Sequence, residues 1–244
     1  MIDATIFDMD GTLIQTERLK ARAYAEAASE LRPDLPEEEV VEAFKDVVGR
    51  SRREVSTALL ERFHLREPAS RRMDEFGVSR PWQAYTQLRL RIQDVLLSDP
   101  EVLRDHQWAH TDPLLRTVNE RGCRVALATM SHCEDTTRIL DVLGLRDRFY
   151  FVATRDDVDR PKPDPEIYHL VFREIGRDPE VCLIVEDSPA GVEAAVRSGA
   201  EVVALGTPFT LEHHLEHDTI PNDRVARSPE ELCRLVGRVL DGEA

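Results

Sequence analysis

The sequence predicts an α/β protein: a doubly wound, mostly parallel sheet with helices on both faces and a helical domain inserted near the N-terminus. Three observations lead there. Short runs rich in β-branched, aromatic and other apolar residues alternate with helical stretches, the pattern of a parallel sheet wound by crossovers. Several helical stretches open on proline and close on glycine, the asymmetry expected of helix ends. A long stretch after the first strand signal carries helical periodicity and no confident strand.

Taken in order, the first strand signal is ATIF, within residues 3–7. Periodic helical segments then cover about 17–31, 36–48, 51–64 and 81–97, broken at Pro33, Pro36, Pro68 and Pro81. Residues 15–108 therefore read as a helical insertion, with connectors near Ile14–Thr16 and His106–Thr111. Strand signals follow at 123–129 (CRVALAT), 150–154 (YFVAT), 181–185 (VCLIV) and 201–205 (EVVAL), each too short for a typical helix. Between them, Asp112-Pro113 opens 113–121, and 135–143 ends at Gly144. Asp164-Pro165 opens 165–175 before Gly176, and Ser188-Pro189 opens 189–198 before Gly199. Residues 206–222 read as irregular, and 224–241 as a short strand and a closing helix. The predicted domains are 1–14 with 109–244, and 15–108.

Composition bounds the function. The 244 residues hold 32 Lys+Arg against 47 Asp+Glu, a formal charge of −15. So acidic a chain is a poor match for the phosphate backbone of nucleic acids or for an anionic membrane. No apolar run approaches the ~20 residues of a membrane helix, and MIDATIFDMDGT lacks the basic start of a signal peptide. Cys123, Cys133, Cys182 and Cys233 form no C-x-x-C pair. Four reduced thiols in a cytoplasmic protein is the simplest reading. Only three cations are lysine: Lys20, Lys45 and Lys162.

In an open parallel sheet, ligands bind beyond the carboxyl ends of the strands. Asp8 and Asp10 follow the first strand, in DMDGT; Thr129, Met130 and Ser131 end the second; Lys162 follows the third, in RPKPDP; Glu186 and Asp187 follow the fourth, in EDSPAG. Four carboxylates at one sheet edge call for a hard cation, and magnesium takes oxygen ligands. Phosphoryl transfer uses such a set. Asp8 can act as nucleophile. Gly11 lets the chain turn so that Asp10 can protonate a leaving group. Thr129 offers a hydroxyl and backbone donors to phosphoryl oxygens, and Lys162 offers a compact positive charge. Taken singly, each has a plainer reading: a turn at DMDG, an exposed Lys162, an N-cap with first-turn acids at 186–188, a strand-end Thr129.

DMDGT, the strand ending at Thr129, KPDPEIY and VEDSPAGVEAA together resemble the four motifs of the haloacid-dehalogenase-like hydrolases. The set is specific and spans the chain outside the insertion. The resemblance implies a Rossmann-like core, a helical cap inserted after the first motif, and magnesium-dependent aspartyl-phosphate chemistry. By the family pattern Asp8 is the nucleophile and Asp10 the general acid/base. Asp8, Asp187 and the Asp10 carbonyl bind magnesium, with Glu186 as a further ligand or an outer carboxylate. Thr129 and Lys162 hold the phosphoryl group, with Gly11 and Met130 lining the substrate beside them.

Within the family, Asp10 argues against the dehalogenases. Arg52, in VVGRSRREV, stands where the phosphonate hydrolases use a Schiff-base lysine, a chemistry closed to arginine. That leaves a phosphatase acting on a small phosphorylated metabolite such as a sugar phosphate, with a β-phosphoglucomutase-like enzyme as the alternative. GRSRRE looks like the mutase cap loop, where Arg52 grips the non-reacting phosphate, and Ser131 matches a contact to the same group. Lys20 stands where the mutases carry histidine. Signalling receiver domains also phosphorylate an aspartate, but the length, Asp10 and the insertion oppose that reading. Lys20, Arg52 and Arg53 also fit a solvated helix face. Trp82, Tyr85 and Arg89, at i, i+3 and i+7, fit helix core with a surface arginine.

Overall fold

The computed structural model describes residues 1–48 and 51–243, which form two compact units: Met1–Gln15 with Leu103–Ala244, and Thr16–Val102. Gly49 and Arg50, the start of GRSRRE, lie outside the described residues.

The chain begins with β1 (Ala4–Phe7), then runs through α1 (Thr16–Leu31), α2 (Glu37–Lys45), α3 (Arg52–Arg62), α4 (Arg66–Ser70) and α5 (Pro81–Ser98). In this helical unit α1 packs on α2 and α5, and α5 also packs on α3 and α4. The apolar stripe of α1 puts Tyr24 between Phe44 and Tyr85, with ring centroids 5.5 and 5.7 Å away. Tyr85 is fully buried and donates its hydroxyl to the Tyr24 carbonyl at 2.8 Å, which satisfies a polar group that burial would otherwise penalise. Ser51 and Glu54 form a reciprocal capping box that starts α3.

Helix α6 (Pro100–His106) leads back to the sheet unit, followed by α7 (Thr111–Glu120), β2 (Arg124–Ala128), α8 (Cys133–Val142), β3 (Phe151–Ala153) and α9 (Glu166–Ile175). Then come β4 (Cys182–Glu186), α10 (Pro189–Ser198), β5 (Glu201–Leu205), α11 (Leu211–Glu216), β6 (Val225–Ala226) and α12 (Pro229–Leu240). The described strands form one sheet in the order β3-β2-β1-β4-β5-β6, all parallel. This is the doubly wound order 3-2-1-4-5-6, with the switch point at β1, where a crevice opens. Strands β1 and β4 are buried along their whole length, which explains their unbroken apolar runs.

Three boundaries differ from the sequence reading. Gln15 and residues 103–108 belong to the sheet unit, not to the insertion. Ile14 bridges Gln107, and the Gln15 N–H donates to the His106 carbonyl at 2.8 Å, which ties the returning segment to the departing one. The 206–222 stretch is not wholly irregular, since α11 lies within it. Helix α7 starts at Thr111, ahead of the Asp112-Pro113 opening.

Candidate active site

Sheet register builds the site. Phe7 pairs with Leu127 on one side and Val185 on the other. One residue further along, Asp8, Ala128 and Glu186 therefore stand level on three adjacent strands. Lys162 reaches that level and its Nζ donates to all three: Asp8 Oδ1 at 2.8 Å, Glu186 Oε1 at 2.6 Å and the Ala128 carbonyl at 2.9 Å. Its side chain is only 4% exposed, so these bonds replace its water. Tyr168, on α9 below the lysine, lies with its ring 5.0 Å from Nζ and donates its hydroxyl to Glu186 Oε1 at 3.0 Å.

Glu186 is the hub. Its Oε2 accepts from the N–H groups of Asp187 and Ser188 and from the Ser188 hydroxyl. With Lys162 and Tyr168 on Oε1, both oxygens are engaged by protein donors, which suits an ordering carboxylate better than a direct metal ligand. Gly191 makes room for it: a Cβ there would stand 1.8 Å from Glu186 Oε1. Ser188 also caps α10 by accepting from the Gly191 N–H.

Asp187 is fully buried and accepts from the Thr12 hydroxyl at 3.3 Å. Its carbonyl faces His214 Nε2 at 2.6 Å, which places the proton on that nitrogen. Asp8, Glu186 and Asp187 present carboxylate oxygens within 4.8 Å of one another. Against the single ammonium of Lys162 they leave an excess of two negative charges out of water. Burial pushes Asp8 well above the usual carboxylate range; Lys162 opposes the push, and Glu186 and Asp10 add to it. Burial would lower Lys162, but Asp8 and Glu186 outweigh it and hold the ammonium well above its ordinary value. An all-oxygen donor set with two charges in excess fits a hard divalent cation, as magnesium is.

Asp10 sits just before the turn at Gly11, whose φ of +87° is open to glycine at little cost. Its Oδ2 accepts from the Thr129 hydroxyl at 2.9 Å and the Ser131 hydroxyl at 2.7 Å. Thr129 therefore differs from expectation in one respect. Its backbone N–H is spent on the Ala153 carbonyl, so it offers no main-chain donor to a ligand. The N–H groups of Met9 and Met130 make no hydrogen bond among the described residues and stand as backbone donors; the sequence reading placed Met130 beside the substrate but did not single out Met9.

The 106–111 segment clasps the turn after Asp10. Trp108 Nε1 donates to the Gly11 carbonyl at 2.7 Å, and the Thr111 hydroxyl to that of Leu13 at 2.7 Å. His110 Nε2 lies 3.0 Å from the Thr12 carbonyl and donates to it. Sequence reasoning missed Thr12, Tyr168, Gly191, His214 and this clasp. Thr12, Tyr168 and Gly191 carried a local signal, inside DMDGT, KPDPEIY and EDSPAG.

The remaining predicted residues lie in the helical unit. Lys20 is half-buried on α1, and Arg52 is exposed at the first position of α3. Arg53 stacks over Trp82 at 5.9 Å. Arg89 is not a surface residue as expected: it is only 5% exposed.

The family model of the haloacid dehalogenase-like hydrolases matches residues 2–199, which holds every strand-end side chain just described. The chain is a haloacid dehalogenase-like hydrolase. As a member of that family it is an enzyme. It is 29% identical over 200 residues to a phosphorylated carbohydrates phosphatase of Thermotoga maritima, covering 82% of this chain and 83% of that one. It is 26% identical over 223 residues to validoxylamine A 7'-phosphate phosphatase of Streptomyces hygroscopicus, covering 91% and 94%. In fold it is similar to the crystal structure of β-phosphoglucomutase from Clostridium difficile, with a TM-score of 0.65, 21% identity and coverage of 99% and 100%. The Rossmann-like core of this hydrolase is thus shared with mutases, and among its described residues no helix is long and apolar enough to cross a membrane.

Proposed function

We propose that this hydrolase is a magnesium-dependent phosphatase acting on a small phosphorylated metabolite, a sugar phosphate foremost, through an aspartyl-phosphate on Asp8. The observation that carries the reading is the level set of Asp8, Lys162 and Glu186, with Asp10 held two residues beyond the nucleophile. The phosphatases among its relatives support the substrate class.

Asp8 attacks phosphorus as the ester oxygen leaves with a proton from Asp10. Asp10 then takes a proton from the water that attacks the aspartyl-phosphate, and inorganic phosphate departs. Lys162 orients Asp8 and opposes the burial that raises its pKa, and the Thr129 hydroxyl and Met130 N–H face the phosphoryl oxygens. Asp8, Asp187 and the Asp10 carbonyl would hold magnesium, which when bound would supply positive charge against the phosphoryl oxygens. Lys20 and Arg52, carried by the helical unit, are the cations assigned to the rest of the substrate.

The test is ³¹P NMR of the protein with magnesium and a pool of sugar phosphates, repeated with Asp8→Asn. Inorganic phosphate should grow from particular esters with the natural chain and not with the variant. Conversion of β-glucose 1-phosphate to the 6-phosphate without free phosphate would overturn the phosphatase reading in favour of a mutase. Substantial turnover by Asp8→Asn would remove the nucleophile assignment.

A further inference from the structure

Helix α11 and the residue after it carry His213, His214 and His217. His214 is buried, with its Nε2 on the Asp187 carbonyl. His213 and His217 are exposed. Four residues apart, they share one face of the turn. Their rings stack, with centroids 4.0 Å apart and planes within 13° of parallel. Both belong to the sheet unit, and neither has a part in the chemistry at Asp8.

The hydrogen bonds fix how these rings present their nitrogens. His217 Nδ1 lies 3.0 Å from the His213 carbonyl. A carbonyl only accepts, so Nδ1 carries the proton and Nε2 keeps its lone pair. A metal-ligating histidine shows the same arrangement, its second nitrogen donating to a carbonyl or carboxylate. The His217 backbone N–H donates to that carbonyl too, at 3.1 Å, so one oxygen holds both the ring and the main chain. The His213 ring makes no hydrogen bond among the described residues, which leaves its lone-pair nitrogen open. Two nitrogens bound at about 2.0–2.1 Å to a tetrahedral ion stand about 3.3 Å apart. The stack is only a little wider, and a small turn of one exposed ring closes the difference. Glu212, Glu216 and Asp218 are exposed beside the pair, so the local field draws cations.

We propose that His213 and His217 form a second metal site, a two-imidazole chelate for a transition-metal dication such as nickel or zinc. Its donor set separates it from the first site. Imidazole nitrogen suits nickel, zinc and copper, whereas the oxygens of Asp8, Glu186 and Asp187 suit magnesium. Water fills the remaining coordination positions of so exposed a site. Closing the chelate pins the turn that holds His214 on the Asp187 carbonyl. The proposal does not depend on the phosphatase reading.

The experiment is isothermal titration calorimetry of the full chain with nickel(II) in excess magnesium, on the natural protein and on His213→Gln, His217→Gln and His169→Gln. Nickel that reaches the Asp8 cluster acts on all four alike. The natural chain should bind one further nickel. Loss of either ligand should weaken that event by at least about tenfold, no less than the loss of an outer partner costs. His169→Gln, which removes a lone exposed histidine of α9, should leave it unchanged. A second measurement needs no variant: substoichiometric copper(II), which is paramagnetic, should broaden the amide NMR signals of residues 211–218 of the natural chain before any others. Equal nickel affinity in the natural chain and both ligand variants overturns the proposal, as does the absence of the further event. Copper broadening centred elsewhere overturns it whichever way the variants fold.

Discussion

Replacing Lys162 with methionine tests the site at its centre. Methionine keeps the stem of the side chain and removes the ammonium, so packing changes little while three hydrogen bonds vanish. Asp8 and Glu186 are left facing each other at 5% and 0% exposure with no counter-charge between them. Removing one partner of a buried ion pair costs about 3–5 kcal/mol. Solvent screening does not soften this figure, because the lysine side chain is 4% exposed. At roughly 2–4 °C per kcal/mol for a protein of this size, the melting temperature should fall by about 6–20 °C in metal-free buffer. Magnesium should then recover more stability in the variant than in the natural protein, since the cation takes over the charge balance and binding to the native state alone adds stability. Differential scanning fluorimetry with and without magnesium reads both effects. A metal-free melting temperature within about 2 °C of the natural protein, less than about 1 kcal/mol, would refute the ion-pair argument. So would a magnesium response that shrinks in the variant.

Three further outcomes are expected. Asp10→Asn should slow turnover by about 10²–10⁴-fold and make the rate depend more steeply on the acidity of the leaving alcohol, measured over a series of aryl phosphates; an unchanged dependence would remove Asp10 as the leaving-group acid. Gly191→Ala should force Glu186 from its place and cost on the order of 1–3 kcal/mol in urea unfolding; a variant of natural stability would mean that Glu186 does not occupy that space. His110 is buried and its folded pKa is lowered, chiefly by desolvation, against the Thr12 hydrogen bond and Glu230. The unfolded chain therefore takes up a proton first as pH falls below about 6.5. Stability should drop as pH falls from there toward the folded value. His110→Gln should make the stability profile shallower across that window, and an identical slope in the two proteins would contradict a neutral His110.

The strand ends were legible because two simple periodicities coincide there: apolar runs stop, and Asp8, Thr129, Glu186 and Asp187 begin. Lys162 was legible from its motif, though not the fact that register alone makes Asp8, Glu186 and the Ala128 carbonyl its three acceptors. The use of the Thr129 N–H was hidden, because it depends on how β3 meets β2. His214 lay in a stretch without periodicity, and nothing local announces that it reaches the Asp187 carbonyl. Arg89 shows a different failure. The spacing with Trp82 and Tyr85 pointed to a packed face, and the charge suggested a surface; the spacing was the better guide.

The placement of β1 at the middle of the sheet has a consequence for how the chain assembles. Ala4 pairs with Arg124 on one side and Cys182 on the other, so the first strand synthesised has its partners far down the chain. Closing loops of that size is slow, while helices packed on near neighbours form quickly. The helical unit, contained within Thr16–Val102, can thus be complete on the ribosome while ATIF still waits for β2 and β4 to emerge. Until β4 arrives, Asp8 has no Glu186 beside it, so the sheet and its site come together only late in synthesis.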